Sequence, residues 1–295
     1  MISTSRSATW YALGAIALWA MLAALGVALK AVPPFLLTGV ALVIGSMPTW
    51  PLVARRPRLW AIPARTLAMG VAGLFGFHFL LFLALRTAPP VQANLVNYLW
   101  PLFIVVLAPL VLPGMELRPT HYLAALLGFA GAAVAILGGG DGAHIPWSWG
   151  YLLALASALI WASYSLLTRR VRAFPTAAVG LFGLVSGVLS LLCHWMLEPA
   201  TTPTPHEWGL LVLTGLGPLG GAFLLWDKAL KLGDPRQIGI LSYLTPLSST
   251  VVLMLIGAGS FSWSIVLAAA MIVGAAWIGS RAAIHVGRPT DVLTR

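Results

Sequence analysis

The sequence is poor in charge, and that shortage is what first limits its possible folds. Of 295 residues only 7 are acidic, and with Lys and Arg the charged share reaches 8%, about a third of what an average soluble domain carries. So few charges cannot coat a water-soluble globule of this size. A single cysteine, Cys193, excludes an intrachain disulfide and a cysteine metal centre. HExxH, P-loop, GxSxG and Cys/His metal spacings are all missing. The acids Glu116, Asp141, Glu198, Glu207, Asp234 and Asp291 fall at the borders of apolar runs, and Asp227 has no carboxylate partner in a cleft. Neither catalytic residues nor cofactors are therefore expected, and the chain does not read as an enzyme.

Hydrophobic residues, at 60%, are in excess. They cluster in runs of about 20, the length that spans the hydrocarbon core of a bilayer as a helix. Bounded by Pro, Gly and charge, these runs predict ten spans, at about 8–29, 33–54, 61–85, 90–112, 119–138, 148–169, 175–197, 207–230, 235–256 and 262–283. The fold class expected is an all-α polytopic membrane protein. The N-terminal apolar run follows Arg6, lasts about 20 residues and has no clear cleavage site, so it reads as the first span.

Alternating the spans across a membrane sorts the basic residues. Only Lys30 and Arg86 fall on one side, and every other Lys and Arg falls on the opposite one. By the positive-inside rule both termini are cytoplasmic. The basic excess is thereby explained by topology, without a nucleic-acid partner. Tryptophan, which favours membrane interfaces, fits at ten positions, Trp226 among them near the inner face. Trp19, Trp100 and Trp161 fall at mid-membrane instead.

The chain also resembles itself. A shift of 145 places the segment from Phe79 on the segment from Leu224, pairing Pro90 with Pro235, Tyr98 with Tyr243 and Pro101 with Pro246. A shift of 142 pairs Trp19-Ala20 with Trp161-Ala162. Two five-helix units are expected, 1–138 and 148–284, with a cytoplasmic tail at 285–295. Five is odd, so the second unit enters the membrane inverted. Such pairs surround a midplane site in many secondary transporters.

Polar residues at bilayer depth are costly unless they face protein or water. His78 lies in the middle of the third span, where an interhelical hydrogen bond and a substrate or proton-linked role are both open. Asn94, Asn97, Tyr98 and Pro101 share one face of the fourth, with Trp100 flanking Asn97. Pro101 has no N–H to give the Asn97 carbonyl, which leaves that carbonyl for water or ligand. Ser242, Tyr243, Thr245 and Pro246, followed by Ser248, Ser249 and Thr250, are the counterparts in the ninth span. Ser157, Trp161, Tyr164, Ser165 and Thr168 share a face of the sixth. Asp227 and Lys231 have the i,i+4 spacing of a helix ion pair, either a border pair or a gate. Gly70, Gly73, Gly76, Gly128, Gly131, Gly183 and Gly187 suit close helix crossings.

The Trp19-Ala20 and Trp161-Ala162 pair, the block APPVQANLVNYLWPLF and its mate GDPRQIGILSYLTPL resemble the EamA-type members of the drug/metabolite transporter superfamily over nearly the whole chain. The NYLWP variant and mid-helix His78 are similar to the members that export aromatic amino acids. The resemblance implies a bacterial inner-membrane exporter of aromatic amino acids and related small metabolites, surrounded by lipid and requiring no oligomer, with His78, Tyr98, Trp100 and Trp161 at a central cavity. Asn94, Asn97, Tyr164, Ser242 and Tyr243 join that site on the face argument alone. The first span lacks the carboxylate used by small multidrug antiporters of the superfamily, so gradient-driven movement is expected. Proton exchange through His78 is the alternative, and a non-transporting receptor or assembly subunit is a third reading.

Overall fold

The computed structural model describes residues 6–137, 147–257 and 261–284; the expected tail at 285–295 lies outside them. The described residues are helical, without strands. Among the described residues nine helices are long and apolar enough to cross a membrane: α1 (Arg6–Ala28), α2 (Pro34–Arg55), α3 (Ala64–Thr87), α4 (Pro90–Val111), α5 (Pro119–Leu137), α6 (Gly150–Leu167), α7 (Ala178–Leu197), α8 (Pro205–Leu232) and α9 (Pro235–Leu255). A further helix, α10 (Trp263–Ile284), carries a shorter apolar stretch, Trp263–Gly279. The chain is a polytopic membrane protein.

Local chemistry sets where these helices start and bend. Proline opens α2, α4, α5, α8 and α9, where its missing N–H is one that a first turn leaves unused anyway. Thr204 and Glu207 form a reciprocal capping box on α8. Inside α3 and α8 the helix widens into π turns at Ala72–Gly76 and Gly217–Gly221. These two turns lie 145 residues apart, the offset that aligns the two halves of the sequence. α4 and α9 tighten instead. In α4 the Leu99 amide bonds back to the Val96 carbonyl at 3.1 Å, and in α9 the Tyr243 amide bonds back to the Ile240 carbonyl at 3.2 Å. Each break sits just ahead of a proline, Pro101 or Pro246, that cannot continue the ladder.

α2 packs on α7 and α8, α1 on α8 and α9, α3 and α4 on α6, and α5 on α10. Glycine lets backbones meet at the α2–α8 crossing. A Cβ at Gly45 would stand 2.7 Å from the Gly215 carbonyl oxygen and 2.8 Å from the Gly220 Cα. Lipid gives no hydrophobic drive for helix association, so this close approach supplies the dispersion contact that replaces it.

The two ends of the bundle differ in charge. At the end where α1 begins, Lys228 lies 5.2 Å from the centre of the Tyr11 ring. Arg170 donates to the Val111 carbonyl at 3.1 Å, Arg169 to the Gly233 carbonyl and Arg236 to the Glu116 carbonyl. There too Asp227 pairs with Lys231 at 2.7 Å and accepts from the Thr176 hydroxyl at 2.6 Å. At the opposite end the Glu198 carboxylate accepts from the Phe35 and Leu36 amides at 3.0 and 3.2 Å. The same carboxylate meets Arg86 at 2.6 Å and His194 at 2.9 Å.

Candidate functional site

A cavity of about 680 Å³ opens among α1, α2, α3, α4, α5, α6, α8 and α9. Its floor is aromatic. Trp19 stands 5.9 Å from Trp161 and 6.3 Å from Trp100, and Trp161 lies 5.3 Å from Phe77 and 5.5 Å from Phe223, centre to centre. These are separations at which ring pairs attract edge to face or offset. Beneath the floor lies Trp226, 5.2 Å from Trp19 and only 1% exposed, with its indole N–H on the Ser165 hydroxyl at 3.1 Å. The sequence placed Trp226 at the inner interface. It is instead a core residue, because α8 packs this face on α1 and its ring completes the cluster.

The π turns supply the partners that hold two of the polar groups. The Trp19 indole donates to the Pro218 carbonyl, inside the α8 turn, at 3.1 Å. His78 bonds through Nδ1 to the Leu74 carbonyl, inside the α3 turn, at 2.7 Å. A carbonyl only accepts, so Nδ1 carries the proton and Nε2 is left as the acceptor of the neutral ring.

Above the floor the wall is largely aliphatic, with Leu22, Leu25, Leu81 and Leu253 among its residues, and set into it is a group of uncharged polar side chains. Asn94, Asn97 and Tyr98 come from α4, Thr245, Ser249 and Thr250 from α9, Thr38 from α2 and Thr214 from α8. Lys, Arg, Asp and Glu are absent from the lining among the described residues. The Ser157 hydroxyl donates to the Asn97 side-chain oxygen at 2.7 Å, whereas the buried hydroxyls of Thr38 and Thr245 have no protein partner. The lining reaches Leu29 just past the end of α1, Leu85 of α3 and Ile136 of α5, at the bundle end that holds Glu198. The aromatic floor separates the cavity from the basic end.

Of the residues singled out from the sequence, His78, Asn94, Asn97, Tyr98, Trp100 and Trp161 meet in this cavity. Tyr164, Ser242 and Tyr243 are not part of its lining. Tyr164 sits one turn below Trp161 and fills the space over Gly73, where a Cβ would come within 2.4 Å of its ring. Ser242 turns its hydroxyl back onto the Gly239 carbonyl at 2.6 Å, and Tyr243 fills the space over Gly128. The break in α9 at residues 242–243 ends the regular helix on which their shared face was drawn. Thr245, Pro246, Ser249 and Thr250, also expected on the ninth-span face, line it as well, while Phe77, Phe223, Thr38 and Thr214 line the cavity without having been singled out. The mid-membrane Trp pair was the one signal pointing toward them.

Comparison with known proteins gives the arrangement a context. The EamA-like transporter family matches residues 6–137 and 148–281. The chain is 43% identical over 280 residues to the aromatic amino acid exporter YddG of Ancylobacter novellus, covering 93% of this chain and 97% of that one. It is 27% identical to the aromatic amino acid exporter YddG of Escherichia coli over 76% of this chain and 81% of that one. A chain of known crystal structure superposes with a TM-score of 0.88 at 40% identity, over 96% of this chain and 99% of that one. Matched in both halves by one family and held at such identity along nearly all of a relative, the chain belongs to the EamA-like transporter family of the drug/metabolite transporter superfamily, and is a membrane transporter, not an enzyme.

Proposed function

We propose that this protein exports aromatic amino acids and related small metabolites across the bacterial inner membrane by alternating access, driven by the substrate's own gradient. The observation that carries this reading is the aromatic floor under a largely apolar wall that holds a group of uncharged polar side chains and, among the described residues, no Lys, Arg, Asp or Glu. An aromatic side chain stacks on Trp19, Trp100 and Trp161, while a zwitterion, neutral overall, finds donors and acceptors above them and no fixed charge to oppose it. The names of the relatives point the same way.

Ten spans in two inverted five-helix units complete the proposed architecture. The family match to both halves and the π turns at equivalent positions support it. With both termini cytoplasmic, as the basic residues argue, the cavity faces outward and the Trp floor closes the inner side. One chain encloses the whole cavity, so a monomer suffices.

Proton exchange through His78 is the second reading, favoured by the ring's place at the cavity wall. Counterflow of radiolabelled Phe, Tyr and Trp in proteoliposomes, with a nucleoside and a cationic drug as controls, tests the substrate class. Uptake of a control without uptake of the aromatic set overturns it. An imposed pH gradient tests the energy source, and strong acceleration by that gradient would favour His78-linked exchange.

A further inference from the structure

Asn97 combines features that the rest of the wall lacks. It stands at the break of α4, one turn before Pro101, and its side-chain oxygen is occupied by the Ser157 hydroxyl. Ser157 is itself fully buried, and its single hydroxyl proton is shared between the Asn97 oxygen at 2.7 Å and the Ala154 carbonyl at 2.9 Å. The Asn97 side-chain oxygen is thus held from α6, which leaves the N–H donors of the same amide for a ligand in the cavity the residue lines. Its main-chain carbonyl has no amide at residue 101 to receive. Ser157 is four residues ahead of Trp161, and Asn97 three ahead of Trp100. The clamp therefore sits about one helical turn, ~5 Å, above the aromatic floor. A ring seated on the floor brings the polar head of the same molecule to that level.

We propose that Asn97 is the head-group subsite of this cavity, its side-chain amide receiving the substrate carboxylate, and that Ser157 is the positioning residue that aims it. The inference rests on the aromatic amino acid reading and extends it to a specificity: the cavity selects for the carboxylate, not only for the ring. A hydrogen bond to a charged group is worth enough that losing it weakens binding about tenfold or more. An aspartate at position 97 would repel a carboxylate and attract an amine.

The test compares Trp with tryptamine, which keeps the indole and the ammonium but lacks the carboxylate. Counterflow of labelled Trp in proteoliposomes is measured against unlabelled Trp or tryptamine, for the wild type, Ser157→Ala and Asn97→Asp. Ser157→Ala should raise the Trp inhibition constant about fivefold to tenfold and move tryptamine less than about twofold. Asn97→Asp should abolish Trp counterflow in favour of labelled tryptamine. Equal changes for both ligands in Ser157→Ala, or Asn97→Asp that binds Trp as the wild type does, would overturn the assignment. If Asn97→Asp does not fold, the ratio in Ser157→Ala decides alone. A wild type that moves no aromatic amino acid refutes the parent reading instead, and that control is read first.

Discussion

Replacing Glu198 with alanine should loosen the bundle at the end where the cavity opens, and the structure gives the size of the effect. α2 begins at Pro34 with no side-chain cap of its own, so the Phe35 and Leu36 amides belong to the set that a helix start leaves unpaired. Glu198, more than 160 positions along the chain, caps both with one carboxylate whose side chain is 0% exposed. Hydrogen bonds from backbone donors to a charged acceptor contribute about 1.5–3 kcal/mol each. The Arg86 partner is 40% exposed, which limits its share to about 1 kcal/mol. Because these partners share one carboxylate their contributions are less than additive, and Glu198→Ala should cost about 3–5 kcal/mol, with Glu198→Gln less, since the amide keeps one acceptor. At about 2–4 °C per kcal/mol, the alanine variant should lose roughly 6–20 °C in Tm, read by intrinsic tryptophan fluorescence in a mild detergent. Arg86→Ala should lose only a few degrees, and the double variant less than the sum of the two singles. A loss below about 2 °C for Glu198→Ala, or strict additivity with Arg86→Ala, would refute the capping argument.

Three further outcomes follow from the packing. Gly128→Ala should lower stability by about 1–3 kcal/mol, because the new Cβ would stand 2.4 Å from the Tyr243 ring; thermal melts should show the loss relieved when Tyr243 is also shortened to leucine. Trp161→Ala removes one face of the floor and should raise the KM for Phe and Trp about fivefold to tenfold in a transport assay, while a small aliphatic solute stays within about twofold. Asp227→Asn leaves Lys231, 25% exposed, without its carboxylate, and should destabilise by about 1–3 kcal/mol; melts of Asp227→Asn with Lys231→Met should recover at least half of that.

Much of this fold is legible in the sequence because lipid imposes simple rules on length and polarity. The apolar runs, the prolines that open or break them and the end-to-end asymmetry of charge could all be read residue by residue. Trp19, Trp100 and Trp161 stood out because tryptophan at mid-membrane has no interface to explain it, and the three meet at the cavity floor. What stayed hidden depends on neighbours far along the chain. Tyr243 and Trp226 look like a cavity residue and an interfacial anchor until Gly128 and Trp19 are seen opposite them. Glu198 looks like a border acid, since nothing local shows that the start of α2 needs its charge. A polar face on a helix marks only that something other than lipid covers it, and a seam between helices does so as well as a cavity.

The uncharged lining also sets what voltage does to a passing molecule. Moving one elementary charge through a membrane potential changes its energy by about 2.3 kcal/mol per 100 mV. A solute with no net charge, in a chamber whose walls carry none, moves no charge through the field. The potential across the membrane then neither pulls it out nor holds it back. Among the described residues the lining brings no Lys, Arg, Asp or Glu to this step, so a neutral substrate would cross the field without electrical work.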